Sequence, residues 1–174
     1  MSDYVVVGAG SAGCVVASRL SEDPEVSVTL LEAGGSDRRP NVRIPAAFSK
    51  LFKTERDWDY STTGQAPLVD RELFWPRGKM LGGSSSMNAQ MYLRGHRSDY
   101  DAWVDAGCEG WGYDDVLPYF RRAESYGEVS NDPDHDHGRG GPLHLSDLRD
   151  PNPLTTAFID ACVNDGMRRM RHHN

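Results

Sequence analysis

The sequence predicts an α/β fold, and three features of residues 3–33 support that prediction. Residues 4–7, YVVV, form a short aromatic and β-branched run that is typical of a buried parallel strand. Residues 11–20 are small and apolar, which suits a closely packed helix. Residues 26–31, VSVTLL, predict a second buried strand. A strand, a helix and a second strand in this order make a βαβ unit with a parallel sheet, as in Rossmann-like folds.

The turn between the first strand and the helix carries the glycine spacing of a nucleotide-binding site. Gly8, Gly10 and Gly13 form G-x-G-x-x-G. The first glycine permits a tight turn, the second lets the backbone approach a pyrophosphate, and the third lets the helix pack on a strand. Ser11 and Ala12 belong to the same turn, where the helix amides and dipole would face the phosphates. Because the motif follows a strand and opens a helix, a nucleotide site is favoured over a glycine-rich turn without a ligand.

Glu32 stands at the carboxyl end of the second predicted strand, and Ala33 follows it. A carboxylate at this position can accept hydrogen bonds from the ribose hydroxyls of an adenosine. The same charge would repel the extra phosphate of NADP, so the ligand is expected to be FAD or NAD. The motif alone does not choose between these two.

Length and composition limit the other possibilities. A chain of 174 residues with 38% hydrophobic content can bury one ordinary core. The formal net charge of −7 gives no reason to expect nucleic acid as a partner. No apolar run approaches transmembrane length, and residues 1–3 lead straight into the first strand. We therefore expect no transmembrane segment and a cytoplasmic location.

Two groups of residues are of types that can bind metals, but neither group is predicted to form a metal site. The cysteines are far apart and are read as reduced thiols with no shared role: Cys14, Cys108 and Cys162. In the first helix, Cys14 is expected to pack as a small hydrophobe. Residues 128–141 predict a loop, and four of its side chains are expected to be solvated rather than to bind a metal: Asp134, His135, Asp136 and His137.

Residues 37–76 predict an excursion from the sheet. Two prolines exclude a regular helix from residues 38–47, and residues 48–52 are expected to form a helical turn. Residues 58–63 and 71–75 have strand-like composition. For Trp58 and Tyr60, aromatic cover over the sheet is favoured over direct ligand contact.

Residues 77–98 contain a second candidate anion contact. Gly82 and Gly83 precede three serines, of which Ser84 is the first, so that backbone amides and hydroxyls could face an anion at the start of a short helix. A flexible polar linker is the alternative. Linkers do not carry apolar residues at the spacing found here, which argues against it: Met80, Leu81, Met87, Met91, Tyr92 and Leu93.

Residues 99–174 read as helices and loops. Helices are predicted over residues 98–106 and 114–125, with Asp114 as N-cap of the second and a loop between them. Residues 143–145 predict a short strand, and residues 151–165 predict a further helix.

The two glycine motifs together resemble those of the glucose-methanol-choline (GMC) oxidoreductases, and the bacterial choline dehydrogenase-like branch is the nearest. The pattern GKMLGGSSSMNAQMYLRG at residues 78–95 lies downstream of GAGSAG and LLEAG. Shorter matches are WDY at 58–60, YDAW at 100–103, GWGY at 110–113, LPYF at 117–120 and GRGGPL at 138–143. The resemblance spans residues 3–166. It implies FAD rather than NAD, and oxidation of a small-molecule alcohol to an aldehyde by hydride transfer to the flavin, with an electron acceptor as second partner.

The resemblance also implies roles for particular residues. The turn from Gly8 to Gly13 would hold the FAD pyrophosphate, and Glu32 would hold the adenosine ribose. Other positions would line the flavin or pass close to it: Leu81, Gly82, Gly83, Ser84, Asn88, Ala89 and Met91. Met87 stands where some members carry a histidine that is covalently bound to the flavin. Because a thioether cannot make that bond, we expect non-covalent FAD.

Family members are much longer than this chain, so the resemblance implies an incomplete FAD-binding fold with the start of a substrate or cap region. The expected organisation is a βαβ unit at 1–36, an excursion at 37–76, the second FAD motif at 77–98, and a helical and loop segment at 99–174. The histidine that deprotonates the alcohol would lie beyond residue 174. No catalytic residue is therefore expected here, and His96 is expected to be structural. A truncated, inactive nucleotide-binding fragment is the alternative function.

Overall fold

The computed structural model describes residues 1–127 and 137–169, and the chain falls into two compact units, Met1–Met91 and Tyr92–Asn174. The four-part organisation expected from the sequence stays a prediction. The sequence tail at residues 170–174 lies outside the described residues, as do Asp134, His135 and Asp136, so the structure says nothing of the expected solvation of these three side chains. For His137 the expected solvation is wrong, because its side chain is buried against Glu124.

The first unit begins with the predicted βαβ arrangement. Strand β1 (Tyr4–Val7) is followed by helix α1 (Ser11–Leu20) and strand β2 (Val28–Leu31). The strands pair in parallel, with Tyr4 opposite Val28 and Val7 opposite Leu31. β2 is shorter than predicted because Val26 closes a turn onto the Asp23 carbonyl oxygen, at 3.1 Å.

The prediction that β1 and β2 are buried is wrong, and in β2 Leu30 and Leu31 are both exposed. Val6 lies on the face that α1 covers, and its side chain points toward Gly13. Val5 and Val7 alternate with Val6 and are 58% and 82% exposed. One helix on one face is therefore all that covers this strand in the described residues.

The excursion and the second motif together supply the small core of the first unit. The prediction that two prolines exclude a regular helix from residues 38–47 is wrong, because each proline starts a short one, α2 (Pro40–Arg43) and a 3-10 helix over Pro45–Leu51. Leu51 packs with Met80 and Met87 in a buried cluster. The predicted helical turn at 48–52 overlaps a 3-10 helix that begins three residues earlier, at Pro45, and ends at Leu51.

Short strands and 3-10 turns complete the first unit. β3 (Tyr60–Ser61) pairs antiparallel with β4 (Phe74–Trp75), and both are shorter than predicted. A 3-10 turn at Ala66–Leu68 lies between them. A further 3-10 helix, Gly83–Ser86, occupies the place where the sequence predicts a short helix.

The second unit contains three helices and a parallel strand pair in the described residues. The helices are α3 (Arg97–Asp105), α4 (Tyr113–Ala123) and α5 (Pro153–Asn164). β5 (Glu124–Tyr126) pairs with β6 (Leu143–Leu145), so the predicted strand at 143–145 and the three predicted helices are present.

The predicted helix cap at Asp114 is wrong. Asp115 accepts the hydrogen bond from the Gly112 N–H at 3.0 Å, so α4 begins one residue earlier than expected. Asp114 instead accepts two hydrogen bonds from Arg97, at 2.8 and 2.9 Å. A carboxylate in the first turn of a helix can accept an N–H group at the helix start or pair with a nearby arginine. The sequence therefore does not show which of the two aspartates takes which role.

A buried carboxylate joins the segment before α3 to β5. Glu124 is fully buried and accepts hydrogen bonds from Arg94 through Nε at 2.8 Å and Nη2 at 2.7 Å. The Tyr92 hydroxyl donates to the same carboxylate at 2.6 Å, and His137 Nδ1 lies 2.7 Å from it. Burial raises the pKa of Glu124, but the hydrogen bonds from Tyr92, Arg94 and His137 outweigh it and the pKa is lower than usual.

The three cysteines are free thiols, as expected. The prediction that Cys14 packs as a buried hydrophobe is wrong, because its side chain is exposed and its thiol donates to the Ala9 carbonyl oxygen at 3.3 Å. Among the described residues, no helix is long and apolar enough to cross a membrane. The cytoplasmic location stays a prediction.

Candidate cofactor-binding site

The two glycine motifs contact each other through their backbones. The Gly82 N–H donates to the Ala9 carbonyl oxygen at 2.8 Å, which joins the second motif to the turn between β1 and α1. A Cβ atom on Gly83 would lie 2.8 Å from the Cα atom of Gly10, closer than such atoms approach in proteins. The sequence predicts both motifs but not this contact, because nothing in either pattern specifies a distant partner.

Gly13 allows α1 to lie directly on the end of β1. A Cβ atom there would be 1.8 Å from the carbonyl oxygen of Gly8, which leaves no room for any side chain. This is the close helix and strand contact expected of the third glycine. The N-terminal amides of α1 therefore open at the carboxyl end of the sheet, and the first turn of the helix holds no acidic side chain.

A cavity of about 830 Å³, here called the turn cavity, lies at this point. Most of the predicted site residues line it: Gly8, Gly10, Ser11, Ala12, Gly13, Glu32, Ala33, Gly83 and Ser84. Concave sites where a parallel sheet meets a helix N-terminus are suited to binding phosphates. The structure thus brings the two motifs to one cavity within the first unit.

Other predicted site residues lie at a second cavity or at neither one. Asn88 and Ala89 line a cavity of about 390 Å³, here called the serine cavity, which shares Ser84 with the turn cavity. Three predicted residues are absent from the linings of both cavities: Leu81, Gly82 and Met91. Leu81 donates its N–H to the Gly35 carbonyl oxygen at 3.0 Å, and the Met91 side chain is exposed.

Glu32 holds the glycine turn as well as facing the cavity. Its Oε2 accepts the Ala9 N–H at 2.8 Å, and its Oε1 accepts the Gly34 N–H at 2.9 Å. Each carboxylate oxygen can accept more than one hydrogen bond, so capacity remains for ribose hydroxyls. The sequence predicts a ligand role for Glu32 but misses this bracing of the turn.

The structure corrects the preferred interpretation of Trp58 and Tyr60. Their rings stack with centroids 5.8 Å apart, remain about half exposed and line the turn cavity. They therefore form a cavity wall rather than a cover over the sheet. The Lys79 ammonium lies 4.6 Å from the centre of the Trp58 ring.

A buried aspartate supports that wall. Asp57 is 6% exposed, and its carboxylate accepts the backbone N–H groups of Lys53, Asp59 and Arg77 at 2.9 to 3.0 Å. Burial raises the pKa of Asp57, but the three N–H donors outweigh it, so the pKa is below its ordinary value. The sequence does not single out Asp57, since R-D-W-D-Y offers two aspartates and no sign of which one is buried.

Arg77 and Gly78 also line the turn cavity and were not predicted. The Gly78 N–H donates to the Ser84 hydroxyl at 3.2 Å, which joins the segment directly after β4 to the serine run of the second motif. The sequence signal that could have found them is their position directly before the glycine and serine run.

His96 is not part of either cavity. It precedes α3, where its side chain accepts the Ser98 N–H and its own N–H donates to Asp99 at 2.8 Å. This reciprocal arrangement is a capping box, so the side chain has the structural role that the sequence predicts.

The comparisons with known proteins decide the family. The model of the GMC oxidoreductase family matches residues 2–174. The chain belongs to the GMC oxidoreductase family. Members of this family are FAD-dependent flavoproteins, which confirms the predicted choice of FAD over NAD. The structural neighbours in the family likewise confirm the mixed α/β, Rossmann-like fold class.

Individual relatives cover the chain almost completely. An uncharacterized GMC-type oxidoreductase of Mycobacterium tuberculosis is 53% identical over 174 residues, which is 98% of this chain and 32% of the relative. An oxygen-dependent choline dehydrogenase of Photobacterium profundum is 48% identical over 177 residues, which is 99% of this chain and 30% of the relative. The crystal structure of pyridoxine 4-oxidase from Mesorbium loti superposes with a TM-score of 0.88 at 44% identity, over 100% of this chain and 34% of that one. The chain therefore spans about a third of the length of the relatives it matches.

Proposed function

We propose that this chain is the amino-terminal, FAD-binding part of an oxidoreductase that acts on CH–OH groups, converting an alcohol to an aldehyde in the manner of choline dehydrogenases. The observation that carries this proposal is the contact between Gly82 and Ala9, which brings both glycine motifs to the turn cavity. An isolated glycine-rich turn would not need a second motif 70 residues away to complete its cavity.

The residues present fit the cofactor. The amides that follow Gly8 and Gly10 suit a pyrophosphate, and a Cβ atom on Gly13 would prevent this arrangement from forming. Glu32 would hold the adenosine ribose. Predicted flavin neighbours belong to the second motif and the segment after it: Leu81, Gly82, Gly83, Ser84, Asn88, Ala89 and Met91. When bound, FAD supplies a ring that accepts a hydride.

FAD is proposed to be held without a covalent bond. Met87 is 3% exposed and packs in the cluster with Leu51 and Met80. Its thioether is not a nucleophile that would form a stable bond to the flavin. Denaturing the loaded protein is therefore expected to release all of its flavin into the supernatant.

The proposed substrate class is a small alcohol, with a separate electron acceptor. Similarity to a choline dehydrogenase and to a pyridoxine 4-oxidase supports the class, since choline and pyridoxine both carry a hydroxymethyl or hydroxyethyl group. Choline itself is not assigned.

Titration with FAD tests the cofactor assignment. The purified chain is expected to bind FAD with a saturable change in flavin fluorescence. Gly10→Ala is the sharpest variant, because a Cβ atom there has no neighbour closer than 4.0 Å and so leaves the fold intact. The added methyl group would occupy the wall that must approach the pyrophosphate, so FAD affinity should fall at least about tenfold with unchanged thermal stability.

Gly35→Ala is the matched control, because its Cβ atom also meets nothing within 4 Å and Gly35 lines neither cavity. It should bind FAD as the parent chain does. The absence of saturable FAD binding by the parent chain, or equal affinities of the two alanine variants, would refute the proposed site.

A further inference from the structure

Arg77 differs from the other described residues around the two cavities in its positive charge. It lines the turn cavity and the serine cavity, and of the described residues lining these two cavities it is the one cation. Its Nη1 donates to the Pro76 carbonyl oxygen at 2.7 Å, and its guanidinium lies 5.2 Å from the centre of the Trp75 ring. No carboxylate of the described residues forms an ion pair with it, in contrast to Arg43, Arg56 and Arg97.

The backbone of Arg77 is fixed independently of its side chain. Its N–H donates to the buried Asp57 carboxylate at 3.0 Å, and its carbonyl oxygen accepts the Trp58 N–H at 2.9 Å. The guanidinium thus extends from an anchored position with four of its five N–H groups directed to no protein acceptor among the described residues.

The charge balance of the turn cavity calls for such a cation. A bound pyrophosphate brings two negative charges to a cavity that Glu32, the one acidic residue among the described lining residues, already makes negative, in a chain whose formal net charge is −7. The dipole of α1 offsets this by roughly half a positive charge. No basic side chain lies in the first turn of α1, so the helix alone leaves the ligand under-compensated.

We propose that Arg77 is a cofactor-binding residue whose guanidinium provides the positive charge for the FAD pyrophosphate, at the junction of the adenosine side and the flavin side. The inference rests on the proposed FAD site and adds a residue to it. A guanidinium presents paired N–H groups that match two phosphate oxygens, which a lysine cannot reproduce.

The test measures the affinities of FAD, ADP and riboflavin for the purified chain at low and high salt. Arg77→Gln is compared with Arg71→Gln, which makes the same charge change at an exposed arginine of the same unit whose side chain donates to the Leu68 carbonyl oxygen. The expected result for Arg77→Gln is a loss of about tenfold for FAD and for ADP, the usual scale for a lost hydrogen bond to a charged group. Riboflavin affinity should stay the same, and the salt dependence of FAD affinity should become shallower.

The affinity of Arg77→Lys for FAD and for ADP should lie between those of the parent chain and Arg77→Gln. Circular dichroism and thermal unfolding of each variant establish that the fold is retained, as expected because the contact with Asp57 is made by backbone atoms. If the parent chain binds FAD and ADP, but Arg77→Gln and Arg71→Gln bind them with equal affinity, the proposed role of Arg77 is overturned and the FAD site is not. A loss for riboflavin but not for ADP would also overturn it, because the charge would then act on the flavin. A parent chain that binds neither FAD nor ADP would instead overturn the FAD site on which the inference rests.

Discussion

At the scale of single residues, the shape of the site depends on positions at which two backbone segments of the chain come into close contact. Gly13 and Gly83 each lie so close to another backbone segment that there is no room for a Cβ atom. The sequence predicts the first of these from its spacing, since a helix that opens directly after a strand must touch it. It cannot predict that Gly83 faces Gly10, because that contact depends on the path of the whole excursion between them.

Gly13→Ala is expected to destabilise the first unit by at least about 2 kcal/mol, because the new Cβ atom would lie 1.8 Å from a carbonyl oxygen that cannot rotate away. Urea unfolding followed by circular dichroism measures the change. Gly35→Ala adds the same atom in open space and should change stability by no more than about 0.5 kcal/mol. Similar losses for the two variants would contradict the contact between α1 and β1.

Asp57 supports the cavity wall through its charge, and this makes a pH-dependent prediction. Asp57→Asn replaces one acceptor oxygen by an N–H donor facing a backbone N–H, so we expect a loss of about 1–3 kcal/mol at neutral pH. The folded pKa is lower than the unfolded one, so the carboxylate stabilises the fold above its unfolded pKa. That contribution disappears as the pH falls through the folded pKa.

The difference between the parent chain and Asp57→Asn should therefore shrink in acid, as measured by urea unfolding over a pH series. Asp59→Asn is the control, since residue 59 has a φ of 51°, which asparagine adopts readily. A difference that stays constant from neutral to strongly acidic pH would show that the charge of Asp57 contributes nothing.

At the scale of elements, two carboxylate pairs with arginine in the second unit differ in burial. Arg94 and Glu124 are buried, whereas Arg97 and Asp114 make similar two-point contacts at the surface. Exposed pairs are weakened by water and salt, but a buried charge that loses its partner is costly. The burial raises the pKa of Tyr92, which also contacts Glu124, to about 12.

Glu124→Gln is expected to reduce the stability of the second unit by about 3–5 kcal/mol, because it leaves the Arg94 charge without its buried counter-charge. Asp114→Asn is the matched control and should cost far less, since its partner Arg97 is exposed and remains hydrated. Thermal unfolding of the two variants compares them directly. Equal losses would contradict a structural role for the buried pair.

Elements that follow from local patterns were predicted well, and those that depend on remote contacts were not. The periodicity of residues 4–31 predicts β1, α1 and β2 because each pattern lies within its own element. The burial of Val5 and Val7 was predicted wrongly, since it depends on what covers the far face of the sheet. The cap of α4 was also wrong, because Asp114 and Asp115 are equivalent in the sequence.

At the scale of the whole molecule, the described residues that line the turn cavity and the serine cavity include no histidine, and His96 caps α3. The structure brings together predicted site residues from the two glycine motifs with Glu32 and Ala33. Trp58 and Arg77 were missed as wall residues because no periodic pattern around them reveals which side chains face inward.

The chain is therefore expected to bind FAD weakly and to oxidise no alcohol. Choline and short primary alcohols would be assayed anaerobically with an artificial electron acceptor, with free FAD as the blank. Turnover above the blank would contradict this expectation. His96→Ala would then be the first variant to make, because a general base must be within reach of the substrate proton.

The contact between Gly82 and Ala9 also has a consequence for the order in which the protein acquires structure. The strands within residues 4–31 can pair as soon as they have been synthesised, since both strands and the helix between them lie in this short segment. The cavity cannot close until the second motif has left the ribosome and the long intervening segment has been looped back. During synthesis the nascent chain therefore passes through a stage in which the first turn is formed but open, and cofactor capture must wait for the arrival of residue 83.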